Sequence, residues 1–181
     1  MNYQEINDYL DGKIQGGFGS VEAKVFEEEF EKLEAGSVYL EIGVDEGRSF
    51  YFASIYAKRG VFLIGIDIHN VDPHQKSIGR GKFMEQEGLV GLGKRGFFIH
   101  GDADELVNAV HIKVDLLFID GHHDYESVKK NYMSWFPFVR KGGVILFHDY
   151  DHPDVKRFLD EKFEDNKQVI GGKIVKIEVS T

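Results

Sequence analysis

Residues 167–179 read KQVIGGKIVKIEV, and the fold turns on how this stretch is read. Two apolar, β-branched runs flank Gly171-Gly172, and two glycines cannot make the crossover of a dozen or more residues that parallel neighbours need. The runs therefore form an antiparallel hairpin. Upstream the rhythm differs. Short apolar runs recur at VYLEI (38–42), VFLIGI (61–66), GFFIH (96–100), VDLLFI (114–119) and GVILF (143–147), the pattern of strands buried on both faces. Helical patterns separate them. One starts at Ser20, read as its cap, and runs to about Glu34 with Phe26, Phe30 and Leu33 on one face. Others cover 48–59, 102–112 and 124–136, the last with Tyr125, Val128, Tyr132 and Trp135 on its inner side. A further helix begins near Pro153 and turns Val155, Phe158, Leu159 and Phe163 inward. Strands alternating with helices predict an α/β, doubly wound, three-layer sandwich whose parallel sheet ends in an antiparallel hairpin.

The 181 residues, 42% hydrophobic and 29% charged, predict one domain over 1–181. Residues 1–19 form a polar lead-in ending in GGFGS. Residues 69–95, interrupted by Gly79, Gly81, Gly88, Gly91 and Gly93, are a candidate mobile cap. The absence of cysteine excludes disulfide and thiolate chemistry, so a metal would have to sit on histidine and carboxylates. A net charge of −9 argues against a protein that tracks nucleic-acid phosphates. With no apolar run near the roughly 20 residues of a membrane span and no basic-apolar leader, the expectation is a cytoplasmic protein without membrane contact.

Open parallel sheets bind ligands beyond the carboxyl ends of their strands. The residues at those ends are Glu41-Ile42-Gly43, Asp67, Gly101-Asp102, Asp120-Gly121-His122-His123 and His148-Asp149, so every end carries a carboxylate. The first loop, EIGVDEGRS, has the glycines of a tight turn but also Glu41, Asp45 and Glu46. Two like charges about 5 Å apart repel by roughly 3 kcal/mol at an effective dielectric of about 20, which penalises a pyrophosphate. A cationic nucleoside such as S-adenosylmethionine meets no such penalty. Asp67 is placed for ribose hydroxyls and Asp102 for the adenine amino group, each of them also able to cap a helix.

The segments LEIGVDEGRS, GIDIH, HGDADE and FIDGHHDYESVKKNYMSWFPFVRKGGVILFHDY, with the closing hairpin, resemble the class I S-adenosylmethionine-dependent methyltransferases and, within them, the methyltransferase domain 24 family. The similarity runs from about Ile14 to Val179. It implies a Rossmann-like, seven-stranded, mostly parallel sheet and cofactor contacts at Glu41, Gly43, Gly47, Ser49, Asp67, Asp102 and Asp120. His122 stands where the family commonly has aspartate, whereas His123 and Tyr125 match.

Methyl transfer to a hydroxyl needs a held acceptor and an outlet for its proton. Asp120, His123, His148 and Asp149 are the expected catalytic group, with either histidine as general base. A divalent metal, magnesium or manganese, on Asp120, His148 and Asp149 is the alternative way to activate the hydroxyl. The expected function is O-methylation of a small molecule. Two other readings stay open: an oxidoreductase using a nicotinamide dinucleotide on a similar fold, which the acidic first loop disfavours, and a non-catalytic nucleoside-binding protein. Asp124 and Glu126 are read as the charged first turn of a helix. Lys76, Arg80, Lys82, Lys94 and Arg95 are a solvated loop or a basic rim.

Overall fold

Alternation along the first strand, β1 (Val38–Ile42), decides what each of its side chains meets. Tyr39 faces one helical layer, while Leu40 and Ile42 face the other. The computed structural model describes residues 2–11, 14, 16–68, 96–109 and 112–180. The candidate cap at 69–95 lies outside these residues.

Elements are numbered here among the described residues. α1 (Tyr3–Leu10) and α2 (Ser20–Phe30) precede β1, and α3 (Arg48–Tyr56) and β2 (Phe62–Asp67) follow it. Next come β3 (Gly96–His100), a short α4 (Ala103–Leu106) with a 3-10 turn at Val107–Ala109, and β4 (Val114–Ile119). α5 (Tyr125–Trp135), β5 (Val139–Phe147), α6 (Pro153–Phe163), β6 (Gln168–Ile170) and β7 (Ile174–Glu178) complete the order. The seven strands run β3-β2-β1-β4-β5-β7-β6. β7 runs antiparallel to both its neighbours, β5 and β6, and the other described pairings are parallel. Gly171 and Gly172, at φ +58° and +73°, make the turn that lets it do so.

One core, with Phe26, Phe30, Tyr39, Phe52 and Phe118, lies between the sheet and α1, α2 and α3. The other, with Leu117, Tyr132, Trp135, Phe147 and Phe158, lies between the sheet and α4, α5 and α6. Val155, Phe158, Leu159 and Phe163 of α6 are buried, as their spacing predicts. The sequence reading needs correction at three places. Gly19, not Ser20, is the N-cap of α2, because the Glu22 carboxylate takes the Gly19 N–H, and the helix ends at Phe30 rather than near Glu34. Among the described residues of the helix expected over 102–112, Ala103–Leu106 is a regular α-helix that tightens into the 3-10 turn at Val107–Ala109. α1, inside the supposed polar lead-in, went unread. Its signal is an Asn2/Glu5 capping box followed by the buried Ile6 and Leu10.

Candidate functional site

Strand order reverses between β1 and β4, and there the backbones close tightly. Gly43 has φ +84°, and a Cβ on it would stand 2.1 Å from the Asp120 carbonyl oxygen. No other residue meets both constraints, so this glycine sets the distance between the first loop and Asp120. Beyond this point opens a cleft of about 580 Å³. Its wall includes Gly43, Asp67, Asp102, Asp120, His123, His148 and Asp149 from the strand ends and Ser49 from the first turn of α3.

Asp67, ending β2, accepts the Val44 and Asp45 N–H groups at 2.8 and 2.7 Å. These are loop amides that a pyrophosphate would need. Asp102 lines the cleft and also caps α4 by accepting the Asp104 N–H at 2.8 Å. Glu41 and Gly47 do not belong to the wall. Glu41 shares the Tyr39 face of β1, so alternation drives it into the helical layer, where it is fully buried. Its carboxyl takes the Tyr39 and Ser49 hydroxyls, both at 2.5 Å. Burial pushes it up to about 8, against the lowering pull of those two bonds. With both oxygens engaged, Glu41 supports the loop from beneath and does not line the cleft. Gly47, at φ +89°, is the N-cap of α3.

The acceptor end is a chain of carboxylates and imidazoles. His148 Nδ1 lies 3.0 Å from Asp120 Oδ1 and 3.2 Å from Asp149 Oδ2, while Nε2 lies 3.2 Å from Glu22 Oε1. Burial opposes a charged ring, but these contacts outweigh it and push His148 up to about 12. Both ring nitrogens are thus engaged by carboxylates, and the ring is buried behind them. His123 differs, being 43% exposed on its side chain, with Nε2 2.9 Å from Asp149 Oδ2 and 3.8 Å from Asp120 Oδ1. Those carboxylates hold it up to about 10, and the two histidines hold Asp149 well below the usual carboxylate range. Asp149 sits at φ +52°, a left-handed backbone rare for a non-glycine residue and common at functional sites. The atoms of Asp120, His123 and Asp149 that could hold a metal lie within 4.8 Å of one another. The trio therefore includes His123 where the sequence reading had His148.

Two contributors were missed. Glu22 reaches the site from α2, and nothing near the strand ends signals it. Arg48, 8% exposed and lining the cleft, donates to the Phe18 and Ile14 carbonyls and to Asn7 Oδ1 and Asp11 Oδ1, at 2.6 to 3.0 Å. It ties the N-terminal segment down beside the first loop. Gly16, Gly17 and Phe18 thereby become part of the cleft wall.

Residues 40–150, well over half of the chain, match the model of a family described as a methyltransferase domain. Over 117 residues the chain is 33% identical to the uncharacterized protein R132 of Acanthamoeba polyphaga mimivirus, covering 62% of this chain and 51% of the viral protein. A 36-residue stretch, 20% of this chain, is 47% identical to the uncharacterized protein y4gI of Sinorhizobium fredii (strain NBRC 101917 / NGR234) but covers 4% of that protein. The chain thus spans about half the length of the first relative and a small part of the second. Among solved structures, a Staphylococcus aureus protein named as a caffeoyl-CoA O-methyltransferase superposes with a TM-score of 0.73 at 13% identity, over 100% of this chain and 93% of the other. Cofactor-bound Rv0187 from MTB gives 0.71 at 17%, over 97% and 88%. CalS11, a TDP-rhamnose 3'-O-methyltransferase of calicheamicin biosynthesis, gives 0.64 at 14%, over 98% and 92%. At these identities the likeness to the solved structures is one of fold. The family match, which joins the first loop to the Asp120 and Asp149 strand ends, places the chain in the class I S-adenosylmethionine-dependent methyltransferases, within the methyltransferase domain 24 family.

Proposed function

We propose that the protein transfers a methyl group from S-adenosylmethionine to a hydroxyl oxygen of a small molecule, with His123 receiving the hydroxyl proton. The observation that carries this reading is the His123–Asp149 pair, 2.9 Å apart, with the His123 side chain 43% exposed, lining an acidic cleft beyond the switch point. The cleft wall suits a cationic nucleoside. Asp67 stands at the end of β2, Asp102 after β3, and the Val44 and Asp45 amides already serve Asp67, which leaves them unavailable to a pyrophosphate. That observation disfavours a nicotinamide dinucleotide.

S-adenosylmethionine, when bound, supplies an electrophilic methyl group on a sulfonium. The residues of this chain do the rest. Asp149 orients the His123 ring through Nε2, so the second nitrogen is the one available to an acceptor. His123, held up to about 10 by Asp120 and Asp149, must first give up its own proton; it then takes the hydroxyl proton as the oxygen bonds to carbon, and the two carboxylates offset the positive charge it regains, so transfer should rise with pH toward 10. Buried His148 holds those two carboxylates side by side.

The trio of Asp120, His123 and Asp149 supports a second reading, in which a divalent ion lowers the acceptor's pKa and His123 is its ligand. Two carboxylate oxygens and one imidazole nitrogen suit manganese better than magnesium, which prefers an all-oxygen shell. One experiment tests both readings. Calorimetry with S-adenosylhomocysteine should show one site, and label from methyl-tritiated S-adenosylmethionine should pass to members of a panel of neutral hydroxyl compounds. No S-adenosylhomocysteine binding sinks the function. Transfer that survives chelation selects His123 as base, whereas transfer lost to chelation and restored by manganese selects the metal.

A further inference from the structure

Glu22 belongs to α2, outside the strand-end loops, yet its carboxylate reaches the centre of the site. Its side chain is 2% exposed, and that of His148 is 4% exposed. The two oxygens have separate duties: Oε2 accepts the Gly19 N–H at 3.0 Å, which caps α2, and Oε1 lies 3.2 Å from His148 Nε2. Capping needs only the first oxygen, and capping residues normally sit at a helix end within reach of water. A buried carboxylate is costly unless it is paired, so the position of Oε1 has to be accounted for by what it pairs with. That partner is a ring confined on every side. Gly17 lies beside Cε1, Phe118 approaches edge-on with centroids 6.0 Å apart, and Nδ1 meets Asp120 and Asp149. An ionised carboxylate accepts, so a hydrogen on Nε2 has one defined oxygen to meet, Glu22 Oε1 at 3.2 Å. Rotating the ring about its bond would break the contacts on both sides.

We infer that Glu22 is a positioning residue of the transferase site: it fixes the His148 ring from behind, and through that ring the spacing of the Asp120 and Asp149 carboxylates that face His123. Its catalytic meaning rests on the methyl-transfer reading, while the ring geometry stands independently of it. α2 thereby becomes part of the site, although none of its residues lies at a strand end.

The test uses the full chain labelled with 15N-histidine, with imidazole proton–nitrogen correlation spectra as the readout and His148→Asn assigning the ring. In the wild type the His148 Nε2 proton is expected as a slowly exchanging resonance. Glu22→Ala should lose it and shift Nδ1. Glu22→Gln, with one acceptor oxygen for two donors, should shift or lose it, and it decides the matter if the alanine variant fails to fold. His148 resonances unchanged in folded Glu22→Gln would overturn the inference and leave Glu22 a helix cap only. Calorimetry with S-adenosylhomocysteine on the same samples separates the two levels: affinity within about twofold of wild type is expected in the variants, and no binding by the wild type counts against methyl transfer, not against the ring assignment.

Discussion

Glu41 shows how far one residue's role depends on the side of a strand it occupies. Sequence position puts it at a strand end facing the ligand, whereas alternation turns it under the loop between Tyr39 and Ser49. Its carboxyl is held up to about 8 against an ordinary 4.5, so the folded state binds this proton more tightly than the unfolded one. The stability it contributes is complete below pH 4.5 and is lost as pH rises toward 8. Glu41→Gln carries no such titration. Denaturant midpoints of wild type and variant should therefore converge between pH 5 and 8, by an amount on the order of a few kcal/mol; parallel curves would show that Glu41 is not held neutral. His123 belongs to the same scale. His123→Gln should lower transfer roughly 10²- to 10⁴-fold, the usual worth of a general base, with S-adenosylhomocysteine affinity unchanged in calorimetry. Asp149→Asn removes the carboxylate that orients the ring and should follow the same pattern.

At the scale of elements, the turn after β1 is the most constrained piece of the molecule. Gly43→Ala places a methyl group in the left-handed region, costing about 1–2 kcal/mol, and drives it into the Asp120 carbonyl. Thermal midpoint and cofactor affinity should fall together, since the clash separates the first loop from β4. α1 depends on a single side chain in a comparable way. Four groups of the N-terminal segment converge on Arg48, and Arg48→Met strands two buried acceptors among them, the Phe18 and Ile14 carbonyls, each at a cost of about 1–3 kcal/mol. Amide exchange over residues 7–18 should rise several-fold while the β4 and β5 amides stay protected; uniform protection would mean that the segment is held by its apolar contacts alone. The α1 helix was legible in principle from its capping box and was obscured by the glycines that follow. The glycine turns, the five parallel strands and the inner face of α6 were legible because each follows from a local period or a local φ requirement.

For the whole molecule, two apolar cores on opposite faces of one sheet hold the strand ends in register. Phe118→Ala, in the core between the sheet and α1, α2 and α3, should cost about 3–5 kcal/mol, read as a lowered denaturation midpoint. Among the described residues no helix is long and apolar enough to cross a membrane. The sequence by itself determined the α/β alternation, the closing hairpin and the edge at which the acids gather, because hydrophobic period, spacer length and chain direction are properties of consecutive residues. It also supplied the residues that carry the family match. Only the tertiary structure decided that Glu41 is a buried support, that His123 rather than His148 joins Asp120 and Asp149 at the open end, and that Glu22, 126 residues away in sequence, closes the chain of contacts behind His148. The reason is physical: whether an imidazole acts as base, ligand or buried cation depends on which carboxylates face its two nitrogens and on whether water reaches it. Those partners come from α2, β4 and β5, which only the fold brings together.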